Sequence, residues 1–130
     1  MFDRPESGTR AVLVQLDFGQ GAYSERLSEV VLLAGSAGAD VVAQVSGRRQ
    51  APDPALYAGK GKVQEIGDAI RENAADLVIF NHELSPAQQR NLERTLNCRV
   101  IDRNALILDI FASRIAAKAY INEARWQIST

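Results

Sequence analysis

The sequence predicts an α/β fold: a four-stranded parallel, doubly wound (flavodoxin-like) sheet with helices on both faces and a further helix at the C-terminal end. Two observations carry this prediction. Four short apolar runs, at residues 10–16, 40–46, 76–80 and 98–101, alternate with stretches whose apolar residues recur at helical spacing. Such alternation calls for parallel strands joined by right-handed helical crossovers. The first run, RAVLVQL, is also nearly continuous in Val and Leu rather than alternating, as in a strand covered on both faces.

Each element has its own local reason. After the first run, DFGQGAY (17–23) is a glycine-rich turn, and Ser24 is a suitable N-cap for a helix carrying Leu27, Val30, Val31 and Ala34 on one stripe. Gly38 is placed to end that helix. DVVAQVS (40–46) is the second strand. GRRQAPDPALYA (47–58) holds two of the four prolines and continues neither strand nor helix. Beyond Gly61, Val63, Ile66, Ala69 and Ile70 fall at helical spacing, and DLVIF (76–80) is the third strand. Ser85, Pro86 and Gln88 form a capping box with proline at the first helical position, ahead of Leu92 and Leu96. CRVI (98–101) is the fourth strand. Asp102 or Asn104 caps a helix with Ala105, Leu106, Ile110 and Phe111, and the alanine-rich stretch after it is helical too.

Composition narrows the function. The 130 residues are 46% hydrophobic and 24% charged, as in an ordinary globular domain able to build a core without staples. One cysteine, Cys98, rules out an internal disulfide, and with one histidine it rules out the usual structural zinc sets. A reducing cytoplasm is the expected location. No stretch has the apolar length of a membrane-spanning helix. The net charge of −1 means that any nucleic-acid binding must come from local clustering of basic residues.

In a parallel sheet all strand carboxyl ends lie on one edge, where ligands bind. The segments leaving that edge are residues 17–21, residues 46–49 with the GKGK stretch, Asn81-His82-Glu83 and Asp102-Arg103. The GKGK stretch (Gly59, Lys60, Gly61, Lys62) is not a P-loop. That motif needs a glycine where Leu56 stands and a Ser or Thr where Val63 stands. A glycine-lined helix start with two lysines still suits an anion, while the plainer reading is a tight turn with solvated lysines. Gly19-x-Gly21-x-x-Ser24 falls one glycine short of the dinucleotide fingerprint and is more simply a turn. No nucleophile is marked beside His82, and Asp17, Glu83 and Asp102 share the rim without forming an evident acid–base pair. Cys98 is expected to be a small buried hydrophobe, and Tyr120 and Trp126 to mark a packing face.

Three stretches, YAGKGKVQEI (57–66), LSPAQQRNLE (84–93) and CRVIDRNALILDIFASR (98–114), together resemble the amino-terminal domain of the HflX family of translational GTPases. FDR (2–4) and GRRQAPDP (47–54) fit the same pattern, so the resemblance spans about residues 2–114. It implies an α/β domain over 1–112 and, over 113–130, the start of a helical hairpin that precedes a GTPase domain. It further implies binding to the large ribosomal subunit and its 23S-type rRNA, and a part in splitting or rescuing stalled ribosomes, including under stress. Some members are credited with ATP binding or hydrolysis and RNA unwinding by this portion. GTP and magnesium would belong to the GTPase domain. The chain ends at Thr130 before any P-loop, so it is expected to be a fragment or a truncated relative, without GTP hydrolysis of its own. It departs from the pattern where IAAKAYI (115–121) intervenes before NEARWQI (122–128).

Three functions are therefore in play. The first is an RNA-binding module using Arg48, Arg49, Lys60, Lys62, Arg90, Arg94 and Arg103. The second is an ATP-binding rim formed by Gly59–Lys62 with Asn81, Glu83 and Asp102. The third is a regulatory module that packs its own GTPase domain through Ile115, Ile121, Trp126 and Ile128.

Overall fold

In the computed structural model, which describes residues 9–110, the elements follow the order β1 (Thr9–Asp17), α1 (Tyr23–Ser36), β2 (Ala39–Arg48), α2 (Lys60–Asn73), β3 (Leu77–Phe80), α3 (Pro86–Leu96) and β4 (Arg99–Ile101). Residues 103–110 are helical as well and are denoted α4. The strands form one sheet in the order β2-β1-β3-β4, and all three pairings are parallel. This is the doubly wound α/β architecture expected from the alternation of runs. Phe111, the alanine-rich stretch and the unit expected over 113–130 lie outside the described residues.

Period-two alternation in β1 divides the core in two. Val12, Val14 and Leu16 face α2 and α3, packing with Val63, Ile66 and Leu92 beside Val78, Phe80 and Val100. Ala11 and Leu13 face the other way, packing with Val30 and Ala34 of α1 and with Leu106 and Ile110 of α4. Residues 11–16 are all buried, Gln15 included, as a central strand demands.

The second strand departs from a uniformly buried run because it lies at the sheet edge. Of its ten residues only Val45 is buried. A register shift, with Ala11 opposite Val41 but Val12 opposite Ala43, leaves Val42 as a bulge. Before the bulge, Ala39 and Val41 pack toward α1; after it, Ala43 and Val45 pack toward α2.

Two helix starts also differ from the local expectation. The first helix is capped by Ala22, in a left-handed conformation with φ 56°, and Ser24 lies within the first turn. Tertiary hydrogen bonds set that start. The Tyr23 hydroxyl donates to the Gln15 carbonyl oxygen at 2.9 Å, and Gln15 Nε2 donates to the Tyr23 carbonyl oxygen at 2.9 Å. Likewise α2 begins at Lys60 with Gly59 as N-cap, so GKGK is the helix's first turn and not a loop ahead of it. The Val63 N–H already donates to the Gly59 carbonyl oxygen at 2.9 Å, drawn in by burial of Val63 against the sheet. The third helix has the expected capping box: the Ser85 side chain accepts from the Gln88 N–H, and Gln88 accepts from the Ser85 N–H.

Candidate nucleic-acid interface

At the carboxyl ends of β1 and β3 the chain leaves for opposite faces of the sheet, α1 on one side and α3 on the other. This is the switch point at which open α/β sheets form a crevice. Two clefts of about 450 Å³ each lie there. The first is lined by Phe18, Arg26, Asn81, His82, Glu83 and Arg103 among others; the second by Asp17, Phe18, Gly19, Arg48, Arg49 and Gln50. Phe18 is the wall common to both.

The floor of the first cleft is a satisfied polar network. Asn81 is buried, and its Nδ2 donates to Gln15 Oε1 at 2.8 Å and to the Arg26 carbonyl oxygen at 3.1 Å. This network ties β1, β3 and α1 together, which is why a glutamine is tolerated inside an apolar strand. Next to Asn81, the Leu16 N–H donates to His82 Nε2 at 2.8 Å. An imidazole that accepts at Nε2 carries its proton on Nδ1. Burial, with the Arg26 charge nearby, pushes the His82 pKa down to about 4, so the ring is neutral.

Aromatic packing fixes the wall. Phe18 meets Tyr57 edge-on at 5.8 Å and His82 edge-on at 5.5 Å, while Tyr57 also lies against His82 at 5.1 Å. Tyr57 holds a left-handed φ of 67°, kept there by paired backbone hydrogen bonds with Asp53. The Asp53 carboxylate in turn accepts from the Ala55 and Leu56 N–H groups, and these bonds, Leu56 first, hold its pKa below the usual value. The proline-bearing loop is thus braced from within and presses Tyr57 onto the site.

The residues singled out in sequence fall into separate groups. Asn81, Glu83 and Arg103 line the first cleft, and Arg48 and Arg49 the second. Arg48 is 91% exposed and lies 3.8 Å from Asp17. A Cβ on Gly59 would stand 2.5 Å from the Arg49 guanidinium, so the absence of a side chain there lets Arg49 lie across the start of α2. The two lysines diverge. Lys60 faces a groove between α2 and α3, whereas Lys62 crosses Gly47 and pairs with Glu65 at 2.8 Å. Gly61 is exposed in the first turn of α2, and Arg90 is exposed on α3, outside the lining of both clefts.

The carboxylates do not converge. Asp17 faces Arg48, Glu83 accepts from Asn104, and Asp102 accepts from the Leu84 and Ala105 N–H groups as the cap of α4. Among the described residues no cluster of His, Cys, Asp or Glu could hold a metal. Sequence reading passed over Phe18, Arg26 and Gln15. A polar residue in an apolar strand and an aromatic residue at the strand's end were the available signals.

The described residues thus form a doubly wound α/β domain with four arginines lining the clefts of its carboxyl edge and no P-loop sequence. Residues 24–112 match the family described as GTP-binding GTPase N-terminal. The chain is 50% identical over 114 residues to "GTPase HflX" of Escherichia coli (strain K12), covering 88% of this chain and 27% of that protein. It is 40% identical over 90 residues to "GTPase HflX" of Flavobacterium psychrophilum, covering 69% of this chain and 22% of the relative. The chain belongs to the GTP-binding GTPase N-terminal family, the amino-terminal domain of HflX proteins, and spans about a quarter of those relatives' length. A similar fold occurs in a GTP-binding protein from the archaeon Sulfolobus solfataricus solved with GDP, with TM-score 0.62 and 24% identity, covering 80% of this chain and 30% of that one. No described helix is long and apolar enough to cross a membrane.

Proposed function

We propose that this chain is the RNA-contacting module of an HflX-type GTPase and that it docks on the large ribosomal subunit through the carboxyl edge of its sheet. One observation carries the reading: in a chain of net charge −1, Arg48 and Arg49 line one cleft of that edge with Asp17, and Arg26 and Arg103 line the other with Glu83, four cations to two carboxylates, although Arg103 is also paired with Glu29 at 2.8 Å. Arginine forks suit phosphate oxygens, and a local basic cluster on a near-neutral chain concentrates RNA binding on one face. GTP hydrolysis belongs, on this reading, to other parts of the longer protein, because these residues contain no G-x-x-x-x-G-K-[ST] sequence.

Co-sedimentation with purified large subunits over a salt series is the direct test. Affinity should fall steeply with salt, and the double variant Arg48→Glu/Arg49→Glu should bind more weakly with a log–log slope shallower by about 2. Lys62→Gln should change little, since Lys62 is held by Glu65. Salt-independent binding, or a double variant that binds like the unaltered chain, overturns the reading. The alternative of an ATP site draws less support, because the two lysines of GKGK point apart and Val63 stands where a P-loop has its magnesium-binding hydroxyl. Heat evolved on titration with ATP and magnesium would revive it.

A further inference from the structure

The two clefts are too small for a duplex, yet each has the scale of a single nucleotide. They meet at one half-buried aromatic ring, Phe18, with arginines lining both: Arg48 and Arg49 the second cleft, and Arg26 and Arg103 the first, where Arg26 donates to the Gly21 carbonyl oxygen and Arg103 to Glu29. Duplex RNA is bound mainly through its backbone and shape and needs no such recess. Unpaired bases are bound by stacking on aromatic rings inside positively charged grooves.

Two polar side chains, Asn81 and His82, share the first cleft with Phe18. Asn81 Nδ2 uses both of its hydrogens within the protein, which leaves Oδ1 as an acceptor with no partner among the described residues. In His82, Nε2 is occupied by the Leu16 N–H, which leaves Nδ1–H as a donor. Both residues line the first cleft, and these are the side-chain polar atoms of each for which the described residues supply no partner. Every RNA base presents a neighbouring donor and acceptor on its pairing edge, so this pair favours an unpaired base without selecting among the four.

We infer that the carboxyl edge of the sheet receives an unpaired nucleotide of single-stranded RNA, with the base stacked on Phe18 and addressed by Asn81 Oδ1 and His82 Nδ1–H, and the flanking phosphates held by the arginines on either side. This rests on the RNA-binding reading above and narrows it from duplex surface to single strand.

Fluorescence anisotropy with a short fluorescein-labelled oligoadenylate, and with a duplex of equal length at the same salt, tests it. The single strand should bind more tightly than the duplex. Phe18→Leu should weaken single-strand binding by on the order of tenfold while leaving the duplex unchanged, and Phe18→Tyr should retain binding. Duplex preference, or equal loss on both RNAs, overturns the inference and leaves the RNA reading in place. Failure to bind RNA of any kind overturns both. A measurement on the unaltered chain removes any dependence on how the variants fold: a single strand carrying 4-thiouridine, irradiated in the complex, should crosslink to the peptide containing Phe18. Crosslinks confined to α2 or α3 would overturn the inference.

Discussion

Among single residues, the side chains with strong local signals turned out to hold the structure. Asp102 is both a rim acid and a cap candidate in the sequence, and the cap is what forms: its two oxygens accept from the Leu84 and Ala105 N–H groups, capping α4 and fixing the turn after β3. Asp102→Ala should therefore cost ~2 kcal/mol in urea unfolding, and Asp102→Asn less, since an acceptor survives. His82 likewise works as an acceptor for the end of β1. Its pKa is about 4 in the folded chain against the ordinary 6.5, so the unfolded chain binds the proton more readily. Its contribution to stability is complete above about pH 6.5, declines as pH falls toward about 4, and is flat below that. In His82→Gln this part of the pH dependence should vanish, seen as a shallower fall in urea midpoint across that window than in the unaltered chain. The capping role of Asp102 is local, three residues from Ala105, and legible in the sequence; the roles of His82 and Asn81 are not, because each depends on a partner 66 positions away, Leu16 for His82 and Gln15 for Asn81.

For whole elements, strands and helices were legible because hydrophobic period and capping agree, as in the Ser85–Gln88 box of α3. Starts fixed by tertiary contacts are not legible: the local signal for a cap falls on Ser24, whereas Ala22 is the cap. The first turn of α2 allows a sharp test of what its glycines are for. Gly61 is helical, and a Cβ there would meet nothing within 4 Å. Gly61→Ala should raise stability by a few tenths to ~1 kcal/mol, measured by thermal or urea unfolding. If RNA affinity stays unchanged as well, Gly61 serves neither a turn nor a close approach to phosphate. Gly59→Ala behaves differently, since its methyl must displace the Arg49 guanidinium. The backbone there is extended and suits alanine, so stability should change by less than ~1 kcal/mol. Large-subunit binding should weaken if Arg49 acts from its present position.

At the scale of the molecule, the strand order β2-β1-β3-β4 does what the linear motifs could not: it brings Phe18, Asn81, His82 and the arginines to one crevice, although they are drawn from four separate connections. The convergence of the rim segments was foreseeable from a parallel sheet. Which of them shared a cleft was not, because neighbour relations follow from strand order, and a run of apolar residues does not state its neighbours. The bulge at Val42 has a consequence for how the family can vary in length. A regular ten-residue strand would keep Ala39, Val41, Ala43 and Val45 on one side, yet the strand changes sides midway to serve both helical layers. Val42 is the residue that absorbs the change, so losing it would leave Val41 and Ala43 on opposite sides, as they already are, and Arg48 still opposite Asp17. Loss of a residue between Ala43 and Gly47 would turn Arg48 inward if the bulge were kept, so the strand must instead draw in Val42 and turn Ala43 from the α2 side to the α1 side. The bulge thus gives this edge strand one residue of slack, taken up at no cost in facing at Val42 and at the cost of re-aiming Ala43 just after it.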